Sequence, residues 1–399
     1  MLPDYSPEIS EALVCGRPER YISVPFRDRR REGVSAALAA RAWPEAAARA
    51  AEQARRGRTA LRAHPGVVLP RFPIACREDA IVDVLRTAWG TALSLIHDAM
   101  ATADAIVSRM RARLIVVGND IITEGRTAAL CARRDGVRTA SLCHGTLTGD
   151  PLTPGIVVDR FLAYGESDGR YLVQGGADLA RVTVVGAPYL DAVDTQRRAT
   201  PESLRRRLRL RPDRRWLLVA TSGPGSSVSH AHHQQVVGAV TRVSAKLSSV
   251  DMVAKLHRKD DPEAYHAAQS SEPSSRLQIV VHGARGYPTS ILDWLPGCSA
   301  LLTGASTSAL EAMVMGVPVI TIDLAGELAG VNFIDAGVTL HVTNERELEA
   351  AIRRVVDEPT SLGDLRGRAA RFVSEIYGAL DGRASERAAD CLERLAQGG

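Results

Sequence analysis

The sequence predicts an α/β protein built from two facing Rossmann-like domains with a cleft between them. Short continuous apolar runs such as "RLIVVG" and "WLLVA" alternate with helical stretches of about ten residues, the pattern of βαβ units around a parallel sheet. The alternation occurs twice, on either side of a polar, arginine-rich segment. Two successive parallel sheets are therefore expected, each covered by helices on both faces.

The same pattern divides the chain. Its expected parts are an N-terminal Rossmann-like domain with a helical N-terminal part (1–190), a linker (191–212), a second Rossmann-like domain (213–380) and a C-terminal helix (381–399). Within the first part, an Ala- and Arg-rich stretch (34–62) predicts one helix. Apolar residues at three- and four-residue steps predict another over 78–113.

The composition excludes several classes of protein. The 399 residues are 45% hydrophobic and carry a net charge of +4. Aromatic residues make up only 4%, and the basic runs lack a recognised motif, so no nucleic-acid partner is predicted. The arginine runs "RDRRRE" and "RRRLRLRPDRR" indicate solvated surface. The alternative is contact with an anionic ligand or, peripherally, with a membrane.

Cellular location is predicted from three features. The six cysteines show no CxxC pair, which favours free thiols in a reducing compartment. The N-terminus has no signal-peptide pattern, and no window approaches the roughly 18 apolar residues that cross a bilayer. The expectation is a cytoplasmic protein. The sequence gives no indication of its oligomeric state.

The strongest local signal is "LLTGASTSALEAMVMGVPVI", a buried strand that runs into a glycine and hydroxyl residues before a helix. Ligands of doubly wound sheets bind outside the carboxyl ends of the strands. The free N–H groups of such a helix start favour a phosphate, and the alternative is an ordinary capped helix. The candidate phosphate-binding residues are Gly304, Ser306, Thr307 and Ser308.

Glu311 shares the face of that helix with the hydroxyls one turn earlier. Its carboxylate could accept hydrogen bonds from a ribose. The alternative, favoured by spacing alone, is a capping box with Ser308 at the N-cap and Glu311 at N3.

Two further strand ends carry candidates for diphosphate binding. "VATSGPGSS" places Ser222 and Gly223 in a Gly/Ser loop that matches neither GxGxxG nor the P-loop. "VAKLHRKDD" places Lys255, His257 and Arg258 at the end of another strand, where cations suit a diphosphate; the alternative is ordinary surface. No DxD or HExxH motif occurs, so no cofactor and no metal are predicted.

The stretch "RTASLCHGTLTGDP" delivers His144 from a strand into a loop. Histidine titrates near neutral pH, so His144 is the candidate general base, with Asp120 and then Glu124 as alternatives. The plain interpretation of His144 is a polar residue that caps a strand.

These motifs, in this order, resemble glycosyltransferases of the GT-B fold. The likeness is to the superfamily of teichoic-acid glycerophosphotransferases and bacterial capsule glycosyltransferases, including polysialyltransferases. Their "KxHP", Ser-Ser or Thr-Ser plus acidic residue, and "HGT" elements correspond to Lys255 with His257, Thr307-Ser308 with Glu311, and 144–146. Arg258 departs from the expected proline.

The resemblance implies a glycosyltransferase that moves a sugar from a nucleotide-activated donor to a hydroxyl acceptor, without a metal. The N-terminal domain would bind the acceptor and the second domain the nucleotide. Thr303 stands where a retaining enzyme has a second glutamate, which favours inversion. One alternative is a non-hydrolysing nucleotide-sugar 2-epimerase, although those enzymes show "SGG" and consecutive glutamates where this chain has "STSALEA". The other is a non-catalytic GT-B-like partner protein.

Overall fold

A computed structural model describes residues 112–120, 123–143, 156–191, 202–221 and 228–398, with single positions 100, 103, 104, 145, 147, 193, 223 and 224. The helix predicted over 34–62, and most of that over 78–113, lie outside these residues. So do the candidate site residues His144 and Ser222, whose roles stay predictions.

The first sheet has four parallel strands in the order β1-β2-β3-β4. Its strands are β1 (Leu114–Val117), β2 (Arg138–Leu142), β3 (Arg160–Ala163) and β4 (Val182–Val184). Helix α1 (Thr123–Arg134) connects the first two strands, and α2 (Glu166–Gln174) connects the last two. The strands β1, β2 and β3 are mostly buried, and Thr139 and Ser141 of β2 are buried polar residues among the apolar ones.

The second sheet has six parallel strands in the order β10-β9-β8-β5-β6-β7. Its strands are β5 (Arg215–Ala220), β6 (Val250–Lys255), β7 (Leu277–Val280), β8 (Ala300–Thr303), β9 (Val319–Ile322) and β10 (Leu340–Val342). The strand order reverses between β5 and β8. That reversal is the switch point at which doubly wound sheets bind ligands.

Helices lie in four of the five connections of the second sheet, in the chain that leads into it and after its last strand, whereas the connection between β7 and β8 has only a 3₁₀ turn, Ile291–Asp293. They are α3 (Glu202–Arg207), α4 (His230–Lys246), α5 (Pro262–Ser271), α6 (Thr307–Val314), α7 (Asn332–Asp335) and α8 (Glu345–Asp357). Two further helices, α9 (Gly363–Tyr377) and α10 (Ala384–Gln397), end the chain. The predicted α/β class with parallel sheets is confirmed.

The last helix returns to the first sheet. Leu392 and Leu395 of α10 join one buried cluster with apolar side chains of β1, β2 and β3. The carboxylate of Asp191 accepts hydrogen bonds from the backbone N–H groups of Ala384 (2.9 Å) and Ser385 (2.7 Å), and so satisfies the first turn of α10. Helix α9 packs against both α6 and α2, so it contacts the helices of both sheets.

The register of the second sheet brings three loops together. Ala220 pairs with Lys255, and Val219 pairs with Leu302, so β5, β6 and β8 end side by side. The loops that follow these strands therefore begin at one edge of the sheet. In the part of the chain that the structure describes, no helix is long and apolar enough to span a bilayer.

Candidate functional site

The carboxyl ends of β5 and β8 are joined by a buried hydroxyl. Thr303, the last residue of β8, donates from Oγ1 to the backbone oxygen of Ala220 at 2.6 Å. Gly304 then begins the loop that leads into α6, and the end of the β5 loop at Val228 lies close to it. The switch point is thus a surface of two adjoining loops.

The loop after β6 is a tight turn that fixes the orientation of His257. The backbone N–H of Lys259 donates to His257 Nδ1 at 3.2 Å, so a neutral ring carries its proton on Nε2. The backbone N–H of His257 donates to Asp260 Oδ2 at 2.7 Å. Burial lowers the pKa of the half-buried His257, and Asp260 opposes this effect. His257 can therefore donate a hydrogen bond from Nε2 without carrying a charge.

Gly223 lets the β5 loop approach that turn. Its φ of 70° lies in the left-handed region, and a Cβ there would stand 2.7 Å from His257 Nδ1 and 2.9 Å from Lys259 Cβ. A glycine meets both requirements. The loops after β5 and β6 consequently touch, and Gly223 and His257 are neighbours as the sequence analysis grouped them. Arg258 is exposed on the same turn.

Helix α6 begins earlier than the capping-box alternative requires. Ser306 is its N-cap, and Ser306 Oγ accepts from the backbone N–H of Ser308 at 3.3 Å. Glu311 is thus five positions past the cap and cannot close a box with Ser308, so that alternative is wrong. Thr307 is exposed and Ser308 half-buried at the helix start, beside the free N–H groups that suit an anion.

Glu311 of α6 acts electrostatically on side chains at both sheets. It acts electrostatically on Lys255 at the end of β6, where burial lowers the lysine pKa and Glu311 opposes the shift. Glu311 also acts on three tyrosines near the first sheet and the end of α9. Burial raises the pKa values of these tyrosines, and the negative charge of Glu311 raises them further. They are Tyr164, Tyr189 and Tyr377. The hydroxyls of Tyr189 and Tyr377 are hydrogen-bonded at 3.1 Å.

Asp120 lies at the carboxyl end of β1 in the first sheet and is only 1% exposed. Its Oδ2 accepts the backbone N–H of Val157 at 3.0 Å, and within the described residues its Oδ1 has no hydrogen-bond partner. Burial raises the pKa of Asp120, although the bond from Val157 opposes this. A carboxyl with a raised pKa and a free oxygen can act as an acid or a base.

Sequence reasoning missed two buried carboxylates. Asp168, in the first turn of α2, accepts the backbone N–H of Tyr164 at 3.0 Å and of Leu147 at 3.4 Å, so it holds the segment after β2 against the helix. Asp260 binds the turn after β6. The only local sign of either was an acidic residue close to a helix start, which is common.

A metal was not predicted, and that expectation stays a prediction. Among the described residues, no three His, Cys, Asp or Glu side chains are grouped so as to hold a metal ion.

Two successive parallel sheets with helices between their strands define a GT-B-like protein, and solved structures share this fold. A UDP-GlcNAc 2-epimerase from Neisseria meningitidis bound to UDP-GlcNAc aligns with a TM-score of 0.62 at 11% identity, over 98% of each chain. A putative UDP-N-acetylglucosamine 2-epimerase from Listeria monocytogenes aligns at 0.57 and 17%, over 76% of this chain and 80% of its own. The wall teichoic acid polymerase TagF aligns at 0.51 and 10%, over 81% and 99%.

The sequence model of the UDP-N-acetylglucosamine 2-epimerase family matches residues 157–393, more than half of the chain. The chain therefore belongs to that family. No curated protein matches the sequence.

Family membership overturns the predicted glycosyltransferase activity. The main prediction, an inverting transferase that needs an acceptor, was wrong. The alternative, a nucleotide-sugar 2-epimerase, agrees with the family. The motifs could not separate the two, because a Gly/Ser loop, a strand-end cation pair and a capped helix serve a nucleotide in either class. The GT-B fold is confirmed, whereas the specific likeness to teichoic-acid and polysialic-acid enzymes is not.

Proposed function

We propose that the protein is a nucleotide-sugar 2-epimerase that inverts C2 of a UDP-activated 2-acetamido sugar. The observation that carries the proposal is the family match over 157–393, which includes the whole second sheet. Structural relatives are described as bound to UDP-GlcNAc or to UDP, which supports a uridine nucleotide as ligand.

The roles of the second-sheet residues follow from their chemistry. The N–H groups at the start of α6, with Ser306 and Ser308, would bind the diphosphate. His257 would donate from Nε2, and Lys255 and Arg258 would supply positive charge in place of a metal. Glu311 would accept hydrogen bonds from the ribose.

The reaction needs a leaving group and a proton acceptor. Breaking the C1–O bond sends its electron pair to the diphosphate, and the cationic C1 that results acidifies the C2–H bond. A base then removes that proton, leaving a C1=C2 double bond. Return of a proton to the opposite face of C2, with reattachment of the diphosphate at C1, completes the inversion. His144 is the proposed base, and Asp120, with its raised pKa, is the proposed acid.

Incubation of the purified chain with UDP-GlcNAc alone, in D₂O, tests the proposal. The expected product is the C2 epimer with deuterium at C2, which proton NMR detects. EDTA should leave the rate of epimer formation unchanged. An Asp120→Asn variant should still bind UDP but form epimer at least about tenfold more slowly, since general acid–base catalysis contributes roughly a hundredfold or more.

UDP binding without epimer or deuterium incorporation would reject the enzymatic role and leave a binding protein. Loss of turnover in EDTA, restored by a divalent cation, would reject the metal-independent scheme.

A further inference from the structure

A buried carboxylate joins the loops after β5 and β6. Asp260 Oδ2 accepts the backbone N–H of His257 at 2.7 Å and the hydroxyl of Thr221. Thr221 follows β5 directly, and His257 follows β6, so one oxygen atom links both loops. Tyr265 of α5 extends the network by donating from Oη to Thr221 Oγ1 at 3.2 Å.

The other oxygen of this carboxylate has an incomplete partner. Asp260 Oδ1 lies 3.5 Å from His233 Nε2 of α4, and in the part of the chain described neither atom makes a hydrogen bond. Asp260 has no exposed side-chain surface, and His233 has 6%. Leaving a buried donor or acceptor unmet is costly. A proton on His233 Nε2, in the Nε2–H tautomer of the neutral ring or in the protonated ring, would let the two atoms form a hydrogen bond, and only the protonated ring would also neutralise the carboxylate.

The groups around His233 favour its neutral form in the free protein. Burial lowers its pKa, Asp260 opposes that effect, and His230 and His232 on the same helix add to the lowering. The ring of Tyr265 faces it edge-on at 6.1 Å from α5. From the loop after β9, Glu327 lies 3.5 Å from Nδ1 of the neighbouring His232.

We propose that Asp260 is a positioning residue for the diphosphate, and that His233 takes up a proton when the diphosphate binds. Asp260 holds the two loops in contact so that both face the ligand. Its negative charge would repel a diphosphate above it, and a protonated His233 cancels that charge by donating from Nε2 to Oδ1. The inference rests on the proposed function, because the site must receive a nucleoside diphosphate.

The adjacent residue provides a matched control. Asp261 is the exposed N-cap of α5 and accepts the N–H of Glu263 at 3.0 Å, a role that asparagine fills equally well. Asp261→Asn thus removes one negative charge from the same turn and leaves the network intact. If charge alone mattered, both Asp260→Asn and Asp261→Asn would bind UDP more tightly, since each removes a charge that repels the ligand.

Calorimetric titration with UDP separates position from charge. Asp260→Asn should bind about tenfold more weakly than the unaltered chain, or about 1.4 kcal/mol. Asp261→Asn should bind equally or more tightly. The positioning role would be overturned if the Asp260→Asn variant bound UDP as tightly as the unaltered chain and its circular dichroism spectrum showed that it was folded.

A second variant tests the uptake of a proton by His233, and this test does not depend on whether Asp260→Asn folds. In His233→Gln the amide nitrogen donates to Asp260 Oδ1 at every pH. UDP affinity of the unaltered chain should rise as pH falls from about 7.5 to about 5.5, because binding takes up a proton. His233→Gln should show a smaller slope. The titrations of UDP and of His257 are common to both proteins, so equal slopes would overturn the proton uptake.

The two proposals fail differently. UDP binding that depends on Asp260, without epimer formation, rejects the enzymatic role and keeps the inference. Epimer formation with UDP binding indifferent to Asp260→Asn rejects the inference alone. A chain that binds none of UDP, GDP, CDP and dTDP overturns both.

Discussion

At the scale of the residue, Gly223 sets how closely two loops approach. A side chain there would meet both the imidazole of His257 and the Cβ of Lys259, neither of which can swing away freely. The atoms concerned belong to a turn that Asp260 also holds. The glycine was predicted as part of a phosphate loop, but the reason the chain needs it lies in the neighbouring loop.

Gly223→Ala should therefore weaken both stability and ligand binding. The positive φ alone costs an L-residue about 1–2 kcal/mol, and the contact with His257 adds to it. UDP affinity should fall as the turn after β6 shifts. Urea unfolding and UDP titration measure the two effects.

Gly136 is the matched control, since its φ is 73° and nothing lies within 4 Å of a Cβ placed there. Gly136→Ala should lower the free energy of unfolding only by the cost of the positive φ, and it should bind UDP as the unaltered chain does. Equal losses of UDP affinity in the two variants would contradict the role of the loop contact.

At the scale of the element, the start of α6 depends on which hydroxyl caps it. The strand before it was predicted correctly, because a continuous apolar run ends at a glycine, and the structure has that strand at Ala300–Thr303. It could not place the helix start, because Ser306 and Ser308 both fit an N-cap. The turn decides between them: the N–H of Ser306 bonds back to the oxygen of Gly304 at 3.1 Å, so the helix begins at Thr307.

Ser306→Ala should destabilise the ligand-free chain by about 1 kcal/mol, the usual loss for an N-cap. Ser308→Ala, inside the helix, should change the free energy of unfolding by less than half as much. Urea denaturation without nucleotide compares them. A larger loss for Ser308→Ala would restore the capping box that the structure excludes.

At the scale of the whole molecule, the local sequence pattern predicted the repeated strands and helices. It did not predict the contacts between residues that are far apart in the sequence. Apolar runs and helical periods predicted the two parallel sheets, and the strand ends predicted where Lys255 and His257 lie. The pairing of Asp260 with Thr221 and His233 joins residues 27 to 39 positions apart. Neither that pairing nor the return of α10 to the first sheet has a signal in neighbouring residues.

Because α10 packs against the first sheet, we expect that sheet, and not the second, to lose stability when α10 is altered. Leu392 is 1% exposed and packs in one cluster with Val116, Leu142 and Leu162 of the first sheet. Leu392→Ala should cost about 2–5 kcal/mol, as other buried leucines do. Hydrogen exchange should speed up in β1 and β2 and stay unchanged in β6, while the exposed Arg394→Ala should leave both unaltered. Faster exchange confined to α10, with no loss in the free energy of unfolding, would mean that the helix rests on the first sheet without stabilising it.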